Sequence, residues 1–277
     1  MENKRVLIYL HIPKTGGLTL RSIIERNFPS DSIHHIDGSP GSKERFIELP
    51  EATRRRINVL RGHMPFGLHA HLYGRADYLT MLRHPVERII SLYYYILATP
   101  NNNFHAEVAG RRMSLADFVE SRISQAKNHQ TRMISGLENR FDDAALEVAK
   151  ANLRTHFTAV GLNEKFDESL ILFKRLLGWN NIFYVKRNVT KKRPRLRDVP
   201  DATVKLIEKQ NALDTELYEF AAQRFRELVA QQDDSFHDEL LAFRRSNKLY
   251  GGFRRGYEAA SRALPASVKT AIKKIGA

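Results

Sequence analysis

The sequence contains no cysteine. This absence excludes a disulfide framework, a metal site with thiolate ligands and a cysteine nucleophile, and it is compatible with a reducing compartment. Internal repeats and low-complexity tracts are absent too. With 277 residues, 42% of them hydrophobic, we expect one substantial core and some length left for appended elements.

Long hydrophobic runs are also missing. The apolar run at residues 6–10 is shorter than the roughly 7 residues that a secretory signal requires. The longest run, residues 89–98, contains Ser91 and three tyrosines and falls well short of the ~20 residues that span a bilayer. We therefore expect a soluble protein without a membrane anchor, located in the cytoplasm.

Acidic residues are scarce relative to basic ones, 31 against 45, which gives a net charge of +14. Such a charge favours polyanionic partners, namely nucleic acid, anionic lipid, an acidic glycan or a multiply phosphorylated cofactor. Residues 186–197 contain seven basic residues and no acid, and residues 244–277 contain nine basic residues and one acid. The excess charge is therefore concentrated in these two segments, and the rest of the chain is nearly neutral.

The hydrophobic pattern predicts strands that alternate with helices. Apolar runs predict strands at residues 5–11, 57–60, 78–82, 157–161 and 181–186, and helical periodicity predicts helices at residues 85–97 and 168–177. Such alternation is typical of an α/β fold in which helices flank a parallel sheet.

The remaining segments are predicted to be mainly helical. We expect a helical insertion at about residues 100–156, with a role in acceptor binding or as a lid, and one long helix at residues 213–245. The predicted division is a main domain at residues 1–245 and a basic, helical C-terminal extension at residues 246–277.

The first motif, HIPKTGGLTL at residues 11–20, joins the first predicted strand to a helix. A helix that opens after a glycine-containing turn directs backbone amides and its positive dipole at one point, and such a point binds phosphate. Lys14 adds a cation, Gly16 and Gly17 permit close approach, and Thr19 can donate a hydroxyl. The motif therefore suits a phosphate or phosphosulfate, although an ordinary glycine-rich turn remains an alternative.

A nucleotide-dependent kinase is another alternative for this loop. The ATP-binding loop of such enzymes requires glycine at positions 8 and 13 here, and the chain has Ile8 and Pro13 instead. The spacing disfavours an ATP-dependent, kinase-like enzyme but does not exclude this alternative.

The second motif, LRHPVERIISLYYY at residues 82–95, follows another predicted strand. Arg83 stands at the carboxyl end of that strand, where open parallel sheets bind ligands, and its planar fork suits a phosphate. Ser91 lies two helical turns later and can add a hydroxyl. In the alternative interpretation, Glu87 and Arg88 are solvated surface charges; the three tyrosines are expected in the core.

These two motifs resemble the 5′-phosphosulfate loop and the 3′-phosphate element of Golgi-type carbohydrate sulfotransferases, heparan sulfate 2-O-sulfotransferase among them. The pair Gly62-His63 and residues 128–132, 163–179 and 188–194 are also similar to that family, so that the likeness extends over about residues 5–225. Two departures are His84, where the family more often has Asp, and the membrane anchor of the Golgi enzymes, which we do not expect in this protein.

The resemblance implies a P-loop-like fold and transfer of a sulfuryl group from 3′-phosphoadenosine-5′-phosphosulfate (PAPS) to a hydroxyl of a glycan or glycolipid, with PAP as product. It implies that Lys14 contacts the bridging oxygen and the 5′-phosphate. Further loop contacts are implied for Thr15, Gly16, Gly17, Thr19 and Leu20, 3′-phosphate contacts for Arg83 and Ser91, and nucleotide contacts for Thr190, Lys192 and Arg193. The basic run that contains the last three residues can also be a solvated loop.

An acceptor hydroxyl must lose its proton during transfer, and a neutral imidazole suits that role near pH 7. His63 is the predicted base because it follows a strand at the carboxyl edge and the Gly-His pair resembles the family's catalytic position. His11 competes for the role, and a structural histidine is the alternative for His63. The pairs His34-His35 and His69-x-His71 lack a carboxylate or cysteine cluster, so no metal is expected.

The C-terminal extension has Leu264, Val268, Ile272 and Ile275 at near-helical spacing among lysines. This pattern indicates contact with an anionic membrane surface, such as the inner face of the cytoplasmic membrane. A solvated helix, or one packed on its own domain, is the alternative. A non-catalytic binder of polyanions or membranes is accordingly a rival to the enzyme, whereas no nucleic acid partner is expected.

Overall fold

A computed structural model describes residues 4–185 and 194–263, with the side chains of residues 257–263 left out. Within this range five strands form one parallel sheet in the spatial order β2-β3-β1-β4-β5. The strands are β1 (Arg5–Leu10), β2 (Ile33–Ile36), β3 (Val59–Gly62), β4 (Arg75–Leu82) and β5 (Phe157–Leu162).

Helices connect the strands and cover the sheet. They are α1 (Gly17–Asn27), α2 (Ser42–Ile47), α3 (Glu51–Arg56), α4 (Pro85–Leu97), α5 (His105–Gly110), α6 (Leu115–Glu120), α7 (His129–Ser135), α8 (Asp143–Thr155), α9 (Phe166–Leu177), α10 (Asp201–Gln210), α11 (Ala212–Ala230) and α12 (Ser235–Ala263). The α/β fold with a parallel sheet flanked by helices is therefore confirmed.

Strand β1 lies at the centre of the sheet. Five of its six residues are buried in succession, as expected for a parallel strand covered on both faces. Each fully buried aliphatic side chain of this kind contributes about 1.5–3 kcal/mol relative to an exposed one. The end of β1 is consequently a rigid position between the ends of β3 and β4.

Two hydrophobic clusters build the interior. The larger one joins the sheet to α1, α7, α8, α9 and α11. The smaller one joins the outer face of α4 to α5, α6 and α10. The predicted insertion is thus helical between residues 105 and 155, but its first two helices pack on α4 and its last two belong to the main core.

Local sequence signals account for several helix boundaries. Pro85 occupies the first turn of α4, where its missing amide hydrogen costs nothing. Asp142 caps α8 by accepting a hydrogen bond from the amide of Ala145 at 3.0 Å. Helix α9 ends at Gly178, whose φ of 70° is left-handed. These signals explain why the helices predicted at 85–97 and 168–177 are confirmed.

The strand predicted at residues 181–186 is wrong over its described part, residues 181–185, which is not in the sheet. Side chains of helices satisfy its backbone instead. Asn27 of α1 bonds the amide and carbonyl of Asn181, and Asn247 of α12 accepts the amide of Tyr184 at 2.8 Å. An apolar run alone could not distinguish these partners from a neighbouring strand.

Two further predictions need correction. Strand β2 was missed because two of its four residues are histidines and it is short. The single helix predicted at residues 213–245 is two helices, α11 and α12. The break occurs where the Asp233 carboxylate accepts the amide of Ser235 at 3.0 Å, a local bond that competes with helix continuation.

The division at residue 245 stays a prediction, and α12 runs across that position. Among the residues that the structure describes, none of the helices is long and apolar enough to cross a membrane.

Candidate active site

The predicted site residues follow three adjacent strands. The loop of residues 11–16 follows β1, His63 follows β3 and Arg83 follows β4. Because β3, β1 and β4 are parallel neighbours, their carboxyl ends meet at one edge of the sheet. The topology therefore arranges His63, the predicted phosphate-binding loop of residues 11–16 (called the phosphate loop below) and Arg83 in a row along that edge.

The loop after β1 is a tight turn held by its own groups. The Thr15 hydroxyl, fully buried, donates to the carbonyl of Ile12 at 2.8 Å. Gly16 caps α1 with a φ of 89°, and the amide of Thr19 donates to its carbonyl at 3.1 Å. The Leu20 side chain lies in the core, so only the backbone of that residue can contact a ligand. The first amides of α1 consequently point out of this turn.

Lys14 and Arg83 meet at the edge. Arg83 Nη1 donates to the carbonyl of Lys14 at 3.2 Å, and Arg83 Nη2 pairs with Glu87 at 2.9 Å. Lys14 itself has a φ of 72°, a left-handed backbone that non-glycine residues adopt rarely. Such strained residues concentrate at ligand-binding sites. The two motifs thus contact each other at the carboxyl edge of the sheet.

One face of α4 contacts both Arg83 and Lys14. Glu87, Ser91 and Tyr95 are spaced four residues apart and therefore share a side of the helix. Glu87 pairs with Arg83, and the Tyr95 ring centroid is 3.8 Å from the Lys14 ammonium. Ser91, which is buried, lies between them on the same face. The expectation that all three tyrosines are core residues is therefore wrong for Tyr95, whose spacing from Ser91 was the available signal.

Arg88 is not the solvated charge of the alternative interpretation. It is fully buried and donates to the carbonyl of Gln125 at 2.9 Å, and its Nη2 is 3.9 Å from the Asp214 carboxylate. Burial lowers the pKa of its guanidinium, and Asp214 opposes that effect. Arg88 consequently belongs to the packing between α4 and α11.

At the end of β3, the first residue of the Gly-His pair must be glycine for a steric reason. Gly62 has a φ of 140°, and a β-carbon there would be 1.8 Å from the carbonyl oxygen of Ile36 in β2. Glycine thus permits the pairing with β2, after which the amide of His63 donates to that same carbonyl at 3.0 Å. The backbone of His63 is therefore fixed to the sheet edge.

The His63 ring is held by His11. Its Nδ1 is 2.9 Å from the carbonyl oxygen of His11, and the two rings stack with centroids 4.4 Å apart. A carbonyl only accepts, so Nδ1 carries the proton and Nε2 of the neutral ring keeps its lone pair. Burial lowers the pKa of His63 below its usual 6.5, although the bond to His11 and the charge of Asp37 oppose this. His63 is accordingly neutral at pH 7.

His11 is packed more tightly. A β-carbon on Gly17 would lie 1.6 Å from His11 Nε2, so the imidazole covers the first turn of α1. Burial and the neighbouring His63, His35, Arg61 and Arg21 keep the pKa of His11 well below its usual value. The ring thereby connects the phosphate loop to His63.

The other histidines have different surroundings. His34 and His35 are consecutive in β2 and point to opposite faces of the sheet. His69 Nδ1 is 3.0 Å from the Tyr78 hydroxyl. In residues 4–185 and 194–263 there is no group of three potential metal ligands. Thr190, Lys192 and Arg193, and the apolar residues Leu264, Val268, Ile272 and Ile275, lie outside the described residues.

Comparison with known proteins identifies the family. The profile of the galactose-3-O-sulfotransferase family matches residues 4–251. Galactosylceramide sulfotransferase of Bos taurus is 28% identical over 280 residues, which cover 89% of this chain and 63% of that protein. Heparan-sulfate 6-O-sulfotransferase 3 of Mus musculus is 25% identical over 281 residues, which cover 82% of this chain and 59% of that protein.

A solved structure of mouse sulfotransferase SULT7A1 complexed with PAP aligns with a TM-score of 0.39 and 14% identity, and covers 94% of this chain and 90% of that one. The chain spans about six tenths of the length of the curated relatives named above. The resemblance to carbohydrate sulfotransferases is confirmed, with galactose-3-O- and heparan 6-O-enzymes among the relatives. Because its profile matches most of the sequence, the chain belongs to the galactose-3-O-sulfotransferase family.

Proposed function

We propose that this protein is a PAPS-dependent O-sulfotransferase that acts on a hydroxyl group of a glycan or glycolipid. One observation carries the proposal, the 3.2 Å hydrogen bond from Arg83 to the carbonyl of Lys14. It joins a phosphate loop to an arginine at the carboxyl edge, as a nucleotide with phosphates at both ends of its ribose requires.

The residues present fit that donor. Lys14 and the first amides of α1 suit the 5′-phosphosulfate, because a cation and a helix N-terminus both favour an anion. Arg83 and Ser91 suit the 3′-phosphate, since a guanidinium fork and a hydroxyl donate to its oxygens. When bound, PAPS supplies a sulfuryl group on a phosphate leaving group.

His63 is proposed as the general base. Its Nε2 would take the proton of the acceptor hydroxyl while the acceptor oxygen bonds to sulfur and the bond from sulfur to the 5′-phosphate oxygen breaks. Lys14 and the loop amides would stabilise the charge left on that oxygen. Positioning and electrostatics of this kind carry most of the catalysis in group transfer.

Calorimetry with the purified chain tests the donor. We expect tight binding of PAP without Mg²⁺ and weaker binding of ATP. Tighter binding of ATP that requires Mg²⁺ would reject the proposal in favour of the kinase-like alternative. Binding of neither nucleotide would favour a non-catalytic polyanion binder.

The acceptor proposal rests on the names of the relatives, which denote enzymes for galactosylceramide, galactose and heparan sulfate. Incubation with labelled PAPS and a panel of cell-envelope glycans and glycolipids tests it. We expect label on a sugar hydroxyl. Label transfer to none of the glycans or glycolipids, with PAP binding intact, would reject this acceptor class.

We further propose peripheral binding to an anionic membrane through the last part of α12; the cytoplasmic location stays a prediction. Arg175, near the end of α9, pairs with Glu239, and Arg244 pairs with Asp167 and Glu168 in the first turn of α9. Helix α12 thus runs antiparallel to α9, which begins at the carboxyl edge. The 19 residues after Arg244 continue the helix for about 28 Å beyond the start of α9, at 1.5 Å per residue, and of these Asn247 and Tyr250 still contact Tyr184 and Phe183.

This projecting part combines apolar and basic side chains. Leu249 and Phe253, one turn apart, are 77% and 74% exposed. Residues 244–255 contain five basic residues and no acid. Exposed apolar side chains among basic ones are typical of helices that lie in a membrane interface.

Flotation with phosphatidylglycerol vesicles tests the membrane proposal. The double substitution L249E/F253E should reduce recovery at least several-fold, because it removes apolar contact and adds negative charge. F141E/V148E is a matched control, since both side chains are exposed and lie outside α12. Equal recovery of the wild type and L249E/F253E would reject the proposal.

A further inference from the structure

We infer that Gln130 is a positioning residue, which holds Arg83 for recognition of the 3′-phosphate. The inference rests on the proposed function, because it assigns Arg83 to that phosphate. Gln130 lies on α7 and is fully buried.

Both polar groups of the Gln130 side chain bond the backbone of one residue. The amide of Arg83 donates to Gln130 Oε1 at 3.0 Å, and Gln130 Nε2 donates to the carbonyl of Arg83 at 2.9 Å. Arg83 is the first residue after β4, which ends at Leu82. The Gln130 side chain therefore satisfies the backbone hydrogen-bonding groups of Arg83 at a position where the strand pairing has ended.

Gln130 is itself fixed by a buried carboxylate. Asp214 of α11 accepts the amides of Gln130 at 3.1 Å and of Thr131 at 2.8 Å, and the Thr131 hydroxyl at 2.9 Å. The backbone amide of Asp214 donates to Asn128 Oδ1 at 3.2 Å. Asp214 thus binds the first turn of α7, where helical amides lack partners within the helix. The hydrogen bonds from Asp214 to α7 are buried, and those between Gln130 and Arg83 are partly buried.

The arrangement has a specific consequence for ligand binding. Two hydrogen bonds fix the peptide units on both sides of the Arg83 α-carbon, and the side chain is fixed by Glu87 and the carbonyl of Lys14. Loss of Gln130 should free the backbone of Arg83 while the phosphate loop stays intact. The affinity for a ligand with a 3′-phosphate should fall, and the affinity for the same ligand without it should not.

Calorimetry with PAP and 5′-AMP, which lacks the 3′-phosphate, tests the inference on the full chain. Gln130→Leu should weaken PAP binding about tenfold, the size expected from two buried hydrogen bonds, and leave 5′-AMP binding unchanged. If Gln130→Leu does not fold, Gln130→Glu is the second variant. It keeps an acceptor for the Arg83 amide, so it should lower the ratio of PAP affinity to 5′-AMP affinity less than the loss of both hydrogen bonds would.

Asn152→Leu is the matched control. Asn152 is also a buried amide, and it donates to the carbonyl of Ile134 at 2.9 Å at the other end of α7. Its loss should lower the melting temperature without changing the preference for PAP. In an Arg83→Ala background, Gln130→Leu should cause no further loss of PAP affinity, since the two residues act together.

Two results would count against the inference in different ways. An unchanged PAP to 5′-AMP ratio in Gln130→Leu, or a further loss in the Arg83→Ala background, would overturn it alone. A wild-type protein that does not prefer PAP to 5′-AMP would overturn the proposed function and the inference with it.

Discussion

The two halves of the carboxyl edge are built on different principles. The donor half, at the ends of β1 and β4, contains Lys14, Arg83 and Tyr95, and charges hold it together. Arg83 pairs with Glu87 and with a loop carbonyl, and Lys14 lies over the Tyr95 ring. The base half, at the ends of β2 and β3, contains His63 and Asp37, and the His11 ring joins it to the loop.

This difference matches the two chemical tasks. Anions need permanent positive charge, which arginine and lysine keep at every physiological pH. A base needs an uncharged imidazole with one free nitrogen, and burial provides it by lowering the pKa of His63. The comparison therefore predicts that substitutions in the donor half affect binding and rate, whereas those in the base half affect rate alone.

The largest effect is expected for Lys14→Ala. In the proposed mechanism this substitution removes the cation that stabilises the departing phosphate, so transfer should fall at least ~100-fold. PAP affinity should fall as well, because the same group stabilises the bound 5′-phosphate. Transfer of labelled sulfate and calorimetry with PAP measure the two quantities. Lys150→Ala, on α8, is the control for the loss of a lysine. Normal PAP affinity in Lys14→Ala would contradict the division of the edge into a binding half and a base half.

His63→Ala should also reduce transfer at least ~100-fold, which is typical of losing a general base. Its PAP affinity should remain that of the wild type, because the base half does not contact the nucleotide in this proposal. The rate constant at saturating PAPS measures the effect. Full activity would end the assignment of His63 and return His11 as the candidate.

Sequence reasoning predicted that the two motifs of the donor half lie together, because the residues within each motif are consecutive in the chain. A strand, a glycine-containing turn, a lysine and a helix are consecutive in the chain, and so are Arg83, Pro85 and Ser91. The parallel sheet then decides the rest, since neighbouring strand ends must meet at one edge. That topology is sufficient to bring Arg83 close to Lys14.

The parts that sequence reasoning missed depend on partners far apart in the chain. Gln130 bonds a residue 47 positions away, and Asp214 bonds Thr131, 83 positions away. No periodicity encodes such pairs. The strand predicted near Tyr184 failed for the same reason, because its backbone partner is the Asn247 side chain. The alternative interpretation of Arg88 as a solvated charge fails because charge alone does not reveal burial.

Gly17→Ala should have an intermediate effect that connects the two halves. A β-carbon 1.6 Å from His11 Nε2 must displace that ring, and overpacking of this kind costs about 1–3 kcal/mol. Chemical denaturation measures the loss. Gly252→Ala, in an open part of α12, is the control and should be neutral or stabilising, because alanine favours helices. Equal stability of Gly17→Ala and the wild type would show that His11 moves freely.

The smallest effect is expected for Asp37→Asn. Neutral His63 is the active form, so activity should fall as the pH drops through its lowered pKa, below 6.5. The exposed Asp37 carboxylate stabilises the imidazolium and so raises the pKa of His63; its removal should move this acid limb to lower pH. Such a shift should shrink in high salt, because exposed charges are screened. Rate profiles against pH at two ionic strengths measure it, and a limb that moves to higher pH would show that Asp37 does not act on the base.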